Sequence, residues 1–295
     1  MCCVQNNQAT ICISERNKSM NFIRNQRRVT LIAGGAVTYV ISVATAYSYL
    51  TAGSSNSSDD SANENKGPAL HSPGKCTCHV DNPLRNQTYN KIAFKYDSDI
   101  DMDEFVMGIK LLRRFMLYWY ANGNVLEVGA GTGRNLKYYP MKNINRVLIS
   151  DTSFEMLSEA KKKISELPLE IREKFITSQL DAENLSQVPD SSFDTVVDSF
   201  GLCSFDDPVA VLKELQRVCK PNGKILLLEH GRSKTWKGIT THLDANAERH
   251  AMNWGCVWNR DIDDIVEKSG LKIDTINTFH FGTTYYIIGS PKENF

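Results

Sequence analysis

Three glycines in five residues form the segment best suited to bind a ligand. They are Gly129, Gly131 and Gly133, within the sequence VLEVGAGTGRN at residues 125–135. Glycine lets the backbone turn sharply and leaves no Cβ in the path of an approaching ligand. The apolar residues before the turn are typical of a buried strand, and residues 135–139 are compatible with the start of a helix whose free N–H groups face the ligand. Strand, glycine turn and helix predict a nucleotide-binding α/β unit.

The glycine spacing differs from that of two common nucleotide sites. In the dinucleotide fingerprint G-x-G-x-x-G the third glycine comes one residue later than it does here. No G-x-x-x-x-G-K-[ST] segment occurs, which excludes a P-loop. Glu127 is also an unusual residue for a fully buried parallel strand.

Acidic and imidazole groups follow later strands. Asp151 comes directly after the apolar segment 146–150, about twenty residues beyond Gly129, where an acid reaches ribose hydroxyls in this architecture. Its alternative role is to cap the helix that follows. Asp181 follows the strand predicted at 176–180, and His230 ends the strand predicted at 224–230.

The elements that must position these groups alternate between strand and helix. Strands are predicted at 125–128, 146–150, 176–180, 194–199, 224–230, 271–279 and 284–288. Helices are predicted at 103–120, 152–166, 207–219 and 261–269. Residues 221–223 are predicted as a turn, and residues 231–260 as a long connection. This alternation predicts a doubly wound, seven-stranded Rossmann-like sheet.

Composition excludes several functional classes. The 34 basic residues balance the 34 acidic ones, so no global positive field recruits nucleic acid. The eight cysteines are scattered and form no evident secreted disulfide framework. Cys76 and Cys78 are closer together than the usual zinc-binding pairs, and no second pair follows, so we predict no metal site.

The N-terminal part of the chain predicts a membrane anchor. Residues 1–28 carry five basic side chains and one acid, which suits a mitochondrial targeting segment or the positive flank of a membrane span. Residues 29–50 carry no charge and as a helix would be about 33 Å long, enough to cross a bilayer. The alternative is a buried soluble helix, but the polar flanks offer no neighbouring core. Residues 51–87 read as a flexible linker, and residues 88–295 as the folded domain.

Basic residues predict the orientation of this anchor. Arg24, Arg27 and Arg28 lie just before the span, whereas the first basic residue after it is Lys66. Basic residues close to a span stay on the inner side. The folded domain is therefore expected on the opposite side of the membrane from the N-terminus.

Several segments resemble the class I S-adenosylmethionine (SAM) methyltransferases. The segment EVGAGTG resembles their first motif, and TYNKIAFKYD at 88–97 resembles the segment that opens many of them. The sequence from 192 to 230 is similar to the ubiquinone/menaquinone C-methyltransferase (UbiE) family. GTGRN, LEHGR and NWGCVWN, at 131–135, 228–232 and 253–259, resemble the Oms-type mitochondrial inner-membrane methyltransferase-like proteins.

The resemblance implies a SAM-dependent methyltransferase (EC 2.1.1 class) and assigns a role to each candidate residue. The three glycines would wrap the methionine part of SAM, with Glu127 near its ammonium. Asp151 would bind the ribose hydroxyls. The residues implied at the adenine are Met156, Asp181 and Ala182, and those implied at the sulfonium are Tyr96 and Ser199.

The resemblance also implies a location and a choice of acceptors. Together with the uncharged span and its basic flank, it suggests a single-pass protein of the mitochondrial inner membrane, and the position of the arginines puts the catalytic domain in the intermembrane space. The membrane tether points to a small, lipophilic or membrane-associated acceptor. The alternatives are a thiol, as for related membrane-anchored enzymes, or no acceptor at all in a SAM-binding assembly factor. The segment after strand four lacks the Asn/Asp-Pro-Pro-aromatic pattern of base methylation, so we expect no nucleic-acid partner.

Two questions about the acceptor side stay open from the sequence. His230, at the carboxyl end of strand five, is the candidate general base, or else it only shapes the pocket. Trp254 and Trp258 either line a hydrophobic acceptor site or pack in the core.

Overall fold

The structure is a computed structural model that describes residues 84–292. The predicted segments 1–28 and 29–50 lie outside the described residues. Between residues 84 and 292, no helix is both long and apolar enough to cross a membrane. The sheet and the candidate site belong to one compact unit, which among the described residues comprises 84–105 and 109–292.

Seven strands and the helices between them form the described domain. The helices are α1 (Leu84–Val106), α2 (Ile109–Tyr120), α3 (Phe154–Ser165), α4 (Leu169–Arg172), α5 (Pro208–Val218), α6 (Lys237–Trp254) and α7 (Ile262–Ser269). The strands are β1 (Gly123–Val128), β2 (Ile144–Asp151), β3 (Phe175–Gln179), β4 (Phe193–Ser199), β5 (Cys219–His230), β6 (Lys272–Phe279) and β7 (Thr284–Ser290).

The strand order is β3-β2-β1-β4-β5-β7-β6, which confirms the doubly wound, seven-stranded sheet. Strands β1 to β5 run parallel, and β7 pairs antiparallel with both β5 and β6. The order reverses between β1 and β4. In open α/β sheets this switch point opens a crevice outside the carboxyl ends of the strands. The fold therefore predicts a ligand site next to the glycine turn.

Each face of the sheet has its own apolar core, because side chains alternate along a strand. On β1, Val125 packs into one core with Met116 of α2, and Leu126 packs into the other with Leu212 of α5. All four side chains are fully buried. A strand that is buried on both faces reads as a continuous apolar run, which is why β1 was recognisable from the sequence.

The single helix predicted at 103–120 is wrong. The structure has two helices there, α1 and α2, separated at Gly108, whose φ is +67°. Glycine adopts this left-handed conformation without steric cost and so ends one helix before the next begins.

The helix predicted after the glycine turn is replaced by a short 3-10 helix at Leu136–Tyr138. Tyr139 leaves the helical region, with a ψ of 131°, because Pro140 follows it and a residue before proline disfavours the helical conformation. The ligand-facing N–H groups thus come from the turn itself.

Two further elements differ from the prediction. The long connection predicted at 231–260 contains α6, which has no buried residue and therefore no apolar periodicity to reveal it. The turn predicted at 221–223 is part of β5, as an irregularity in its pairing with β4.

Candidate cofactor and acceptor site

A cavity lies at the carboxyl ends of β1, β2 and β4, where the strand order reverses. It gathers nine of the ten residues predicted to bind the cofactor. They are Tyr96, Glu127, Gly129, Gly131, Asp151, Met156, Asp181, Ala182 and Ser199. Gly133 and the candidate base His230 are the two predicted site residues that do not line it.

The three glycines have two different functions. All three have a positive φ, between 53° and 74°. A Cβ on Gly131 would meet no atom within 4 Å, so this residue faces open cavity. A Cβ on Gly133 would instead lie 2.8 Å from Leu136 and 3.2 Å from Ala160. Gly131 therefore leaves room for a ligand, whereas Gly133 allows the turn to pack against α3.

Asp151 connects the glycine turn to the start of α3. One carboxylate oxygen accepts a hydrogen bond from Gly131 N at 2.8 Å, and the other accepts one from Ser153 N, also at 2.8 Å. The N-cap of α3 is Ser153, whose hydroxyl accepts from Met156 N. Burial raises the pKa of Asp151 above its ordinary value, against the hydrogen bonds that lower it. Each oxygen retains a further acceptor position for a ligand.

Glu127 is held by two donors in the cavity wall. Tyr139 OH donates to one carboxylate oxygen at 2.5 Å, and Asn135 Nδ2 donates to the other at 3.0 Å. Burial raises the pKa of Glu127 to about 7, although both hydrogen bonds oppose this. A carboxylate at this position is therefore poised to ionise fully when a cation binds beside it.

Asn135 is a site residue that sequence analysis missed. Besides Glu127, it donates to Ser199 Oγ at 3.1 Å and accepts from Arg113 at 3.0 Å. Arg113 also pairs with Glu104 of α1 at 2.8 Å, and its guanidinium lies over the ring of Phe200. The Arg-Asn pair directly after GTG could have indicated a site residue, but the partners of Asn135 lie far away in the sequence and no spacing reveals them.

Ion pairs fasten α1 over the glycine turn. Arg134 pairs with Glu104 at 2.7 Å and with Asp97 at 3.1 Å, and Thr132 donates to Asp97 at 2.6 Å. Hydrogen bonds from Lys163, Thr132 and Arg134 hold the pKa of Asp97 below its usual value, although burial acts to raise it. This clamp places Tyr96 of α1 against the cavity.

His230 lies behind the cavity wall. Its ring is 5.4 Å from that of Phe200, which does line the cavity. His230 Nε2 is 2.9 Å from Cys256 Sγ, and Cys203 completes a cluster of three side chains. A hydrogen bond from Cys256 lowers the pKa of the Cys203 thiol, and His230 lowers it further. Phe200 itself has a φ of +62°, a strained value for a residue with a side chain.

The tryptophans do not line the cavity. Trp258 stacks on His250 with ring centroids 3.9 Å apart, and its Nε1 donates to the backbone of Leu243 in α6. Packing, rather than acceptor binding, is therefore the role that the structure gives Trp258. Tyr89, Phe200 and Ser204 do line the cavity, and they were not predicted.

The cavity fits a nucleoside with an amino-acid tail. Gly131 leaves a cradle, an open space in the cavity that a Cβ would narrow. Asp151 has free acceptor positions and lies where an acid binds ribose hydroxyls in this architecture. The Met156 and Ala182 side chains give an apolar wall beyond it.

Comparison with known proteins agrees with this geometry. Residues 126–227 match the family described as "Methyltransferase domain". The DhpI–SAH complex has a similar fold, with a TM-score of 0.53 and 19% identity, covering 73% of this chain and 98% of that one. Residues 126–227 are therefore a methyltransferase domain, in a fold of the class I SAM-dependent type whose cofactor is SAM.

Within that class, three relatives are informative. Methyltransferase OMS1, mitochondrial, of Saccharomyces cerevisiae is 36% identical over 71% of this chain and 47% of its own length. UbiE of Bdellovibrio bacteriovorus is 36% identical over 52% of this chain and 65% of its own length. Thiol S-methyltransferase TMT1B of Mus musculus is 38% identical over 37% of this chain and 44% of its own length. This chain thus spans roughly half to two thirds of these relatives.

Proposed function

We propose that this protein transfers the methyl group of SAM to a small, lipophilic or membrane-associated acceptor. The observation that carries the proposal is the cavity in which Gly131, with open space beside it, donates a hydrogen bond to half-buried Asp151. The family match and the OMS1 and UbiE relatives support the same reaction class.

Apart from Gly133, the residues to which the resemblance assigns SAM contacts line this cavity, and we propose those roles for them. Gly129, Gly131 and Glu127 would bind the methionine part, and Asp151 the ribose hydroxyls. Those that would flank the adenine are Met156, Asp181 and Ala182, and those next to the sulfonium are Tyr96 and Ser199. SAM, when bound, supplies a methyl group activated by its sulfonium.

The protein's own contribution is to position the acceptor in line and to exclude water. Tyr89, Phe200 and Ser204 line the cavity on the side toward His230. We propose this side as the acceptor region. His230 directs Nε2 toward Cys256 rather than into the cavity, so we propose that it acts through the cysteines instead of taking a proton from the acceptor directly.

A thiol is the second candidate acceptor. It is favoured by the Cys203, His230 and Cys256 cluster behind the acceptor region and by the similarity to a thiol S-methyltransferase. The remaining alternative is a SAM-binding assembly factor that has no turnover. Methyl transfer itself separates that alternative from both enzymes.

Labelled SAM tests the proposed reaction. Full-length protein is incubated with methyl-labelled SAM and a mitochondrial membrane extract, and the label that enters the organic phase is measured. We expect enzyme-dependent labelling that falls in Asp151→Ala when SAM is limiting. SAM binding without any labelled product would favour the assembly factor.

We further propose that the protein is a single-pass protein of the mitochondrial inner membrane, with this domain in the intermembrane space. The support is the uncharged segment 29–50, the arginines before it and the mitochondrial relative OMS1. In mitochondria whose outer membrane alone is opened, added protease should degrade the domain. Protection until the inner membrane is lysed would place the domain in the matrix.

A further inference from the structure

We propose that Cys203, His230 and Cys256 form a zinc site that binds and activates a thiol acceptor. This inference rests on the proposed methyl transfer and assigns the chemistry of its acceptor. It also departs from the sequence-based expectation of no metal site, which considered only Cys76 and Cys78.

The three side chains already have the spacing of metal ligands. The two sulfur atoms and one imidazole nitrogen all lie within 4.8 Å of one another. A tetrahedral zinc ion with Zn–S bonds of about 2.3 Å and a Zn–N bond of about 2.0 Å would separate its ligand atoms by roughly 3.5–3.8 Å. The distance from His230 Nε2 to Cys256 Sγ, 2.9 Å, would have to open by less than about 1 Å, a side-chain adjustment.

The backbone brings these residues together from three separate segments. Cys203 follows β4, His230 is the last residue of β5, and Cys256 follows the end of α6. Val257 N donates to the carbonyl of Cys203 at 2.9 Å, which fixes the segment of Cys256 against that of Cys203. Gly255, with a φ of +68°, ends α6 and turns the chain toward this contact. The cluster is therefore built by main-chain structure as well as by its side chains.

The ligand types select the kind of metal. Two thiols and an imidazole favour zinc or another soft or borderline transition metal over magnesium or calcium, which take oxygen ligands. Both cysteines are free and buried. Cys219 is also free and buried, but it packs under Gly223 at the start of β5 and is not part of the cluster.

Three protein ligands leave one coordination position for a substrate, as in catalytic zinc sites. Ser204 connects the cluster to the cavity: its hydroxyl is 3.5 Å from Cys203 Sγ and 2.5 Å from Tyr89 OH. Both Ser204 and Tyr89 line the cavity. The open position is thus one side chain away from the space in which the methyl donor would lie, so an acceptor that binds the metal there must reach it past Ser204.

The reaction balances without an oxidant or reductant. The acceptor R–SH binds zinc as R–S⁻ and releases its proton to water. A sulfur lone pair of R–S⁻ forms the new S–CH₃ bond while the bond from the methyl group to the sulfonium breaks, and that electron pair stays on the departing S-adenosylhomocysteine. The product R–S–CH₃ is a neutral thioether, a weaker ligand than a thiolate, and it leaves the metal.

Metal content tests the site. Full-length protein, purified without chelators, is analysed for zinc by mass spectrometry, alongside Cys203→Ser, Cys256→Ser and His230→Gln. We expect about one zinc per chain in the wild type and little or none in the three variants. Cys219→Ser and the double variant Cys76→Ser/Cys78→Ser are the matched controls and should keep the metal. Zinc that is absent from the wild type, or that follows Cys76 and Cys78, overturns the proposed site.

Cobalt substitution provides a readout that a folding defect would not imitate. Co²⁺ in the wild type should give thiolate-to-cobalt absorption, which Cys203→Ser and Cys256→Ser should each abolish because neither variant keeps the three ligands that hold the metal. Each variant is also titrated with SAM. A variant that binds SAM as the wild type does but lacks the band has lost the metal ligand and not the fold. An unchanged band in both serine variants overturns the ligand assignment.

Turnover with thiophenol as the probe tests the role of the metal. A chelator should abolish methylation of thiophenol by labelled SAM, and added zinc should restore it. Thiophenol methylation that survives complete loss of zinc overturns the activating role. If zinc is bound by these three residues but neither thiophenol nor a membrane extract is methylated, the proposed function fails while the metal site stands. If SAM binds and another acceptor is methylated without zinc, only this inference fails.

Discussion

The cofactor half and the acceptor half of the cavity are built in different ways. In the proposed cofactor half, the part for the methionine and ribose of SAM is short in sequence, from Glu127 to Ser153. It depends on the backbone: positive φ angles in the glycine turn and two N–H groups that donate to Asp151. The proposed acceptor half is made of side chains from α1 and the segment after β4, and the cluster of Cys203, His230 and Cys256 lies behind it.

This difference separates what the class shares from what distinguishes its members. A backbone cradle binds what all members bind, because it depends on a turn conformation that few residues allow. Side chains on separate segments can change one at a time without disturbing the turn. We therefore expect substitutions in the first half to alter SAM affinity, and those in the second half to alter acceptor turnover.

The largest effect is expected from Gly131→Ala. Its Cβ would enter the open cradle, so SAM binding should weaken by about 2–3 kcal/mol. Gly270→Ala is the matched control, because Gly270 also has a positive φ, +72°, with no atom within 4 Å of a built Cβ, but caps α7. Both variants should lose about 1–2 kcal/mol of unfolding free energy. Calorimetry and denaturation measure the two quantities, and equal SAM affinities in both variants would contradict the assignment of the cradle.

Asp151→Ala should weaken SAM binding by about 1–3 kcal/mol, the cost of leaving buried donors without an acceptor. Asp194→Ala is its control, because Asp194 also accepts a backbone N–H, from Asn124 at 2.9 Å, at the opposite end of β1. The control should bind SAM as the wild type does. If Asp151→Ala retains full affinity, its carboxylate serves only the protein's own turn.

The raised pKa of Glu127 predicts that the free energy of SAM binding becomes more favourable by about 1.4 kcal/mol between pH 6 and pH 8. Burial raises its pKa to about 7 in the free protein, whereas the ammonium of SAM favours the ionised carboxylate. Affinity should therefore rise about tenfold from pH 6 to pH 8, with proton uptake by buffer on binding at pH 7. Glu127→Gln should bind more weakly with a flat profile. A profile in the wild type that is equally flat would show that Glu127 does not meet the ammonium.

The same raised pKa affects folding in the opposite direction. Between the ordinary pKa of glutamate and about pH 7, Glu127 stays protonated in the folded protein but is ionised in the unfolded chain. The stability that this proton contributes is complete below about pH 4.5 and is lost as the pH rises through about 7, with a total of about 3 kcal/mol. SAM should offset part of this loss.

The smallest change in SAM affinity is expected on the acceptor side. His230→Gln should leave SAM binding within about 0.5 kcal/mol of the wild type, because the ring lies behind Phe200. Its turnover should fall at least about tenfold, because the proposed metal site would lose one of its three ligands, and loss of even a supporting residue of a metal site costs about 10–100-fold. A matching loss of SAM affinity would mean that the two halves of the cavity are not separable.

Sequence reasoning succeeded where the chemistry is local. The apolar run of β1, the turn glycines and Asp151 at the end of β2 are each recognisable within about thirty residues, and the structure brings them together. The seven-stranded sheet followed from alternating strand and helix patterns, each set by its own burial.

It failed where a role depends on partners distant in the chain. Asn135 matters because Arg113 and Ser199 reach it, and Cys203 because β5 and α6 end beside it. None of these contacts has a fixed sequence spacing. Helix α6 was not predicted for a related reason: a helix without buried residues has no apolar stripe in its sequence.

Calorimetric titration of SAM into the full-length protein tests the central claim most directly. We predict one site of micromolar affinity, with the affinity reduced in both Gly131→Ala and Asp151→Ala. A flat titration with folded protein, or an affinity that neither substitution changes, would contradict the assignment of this cavity to SAM.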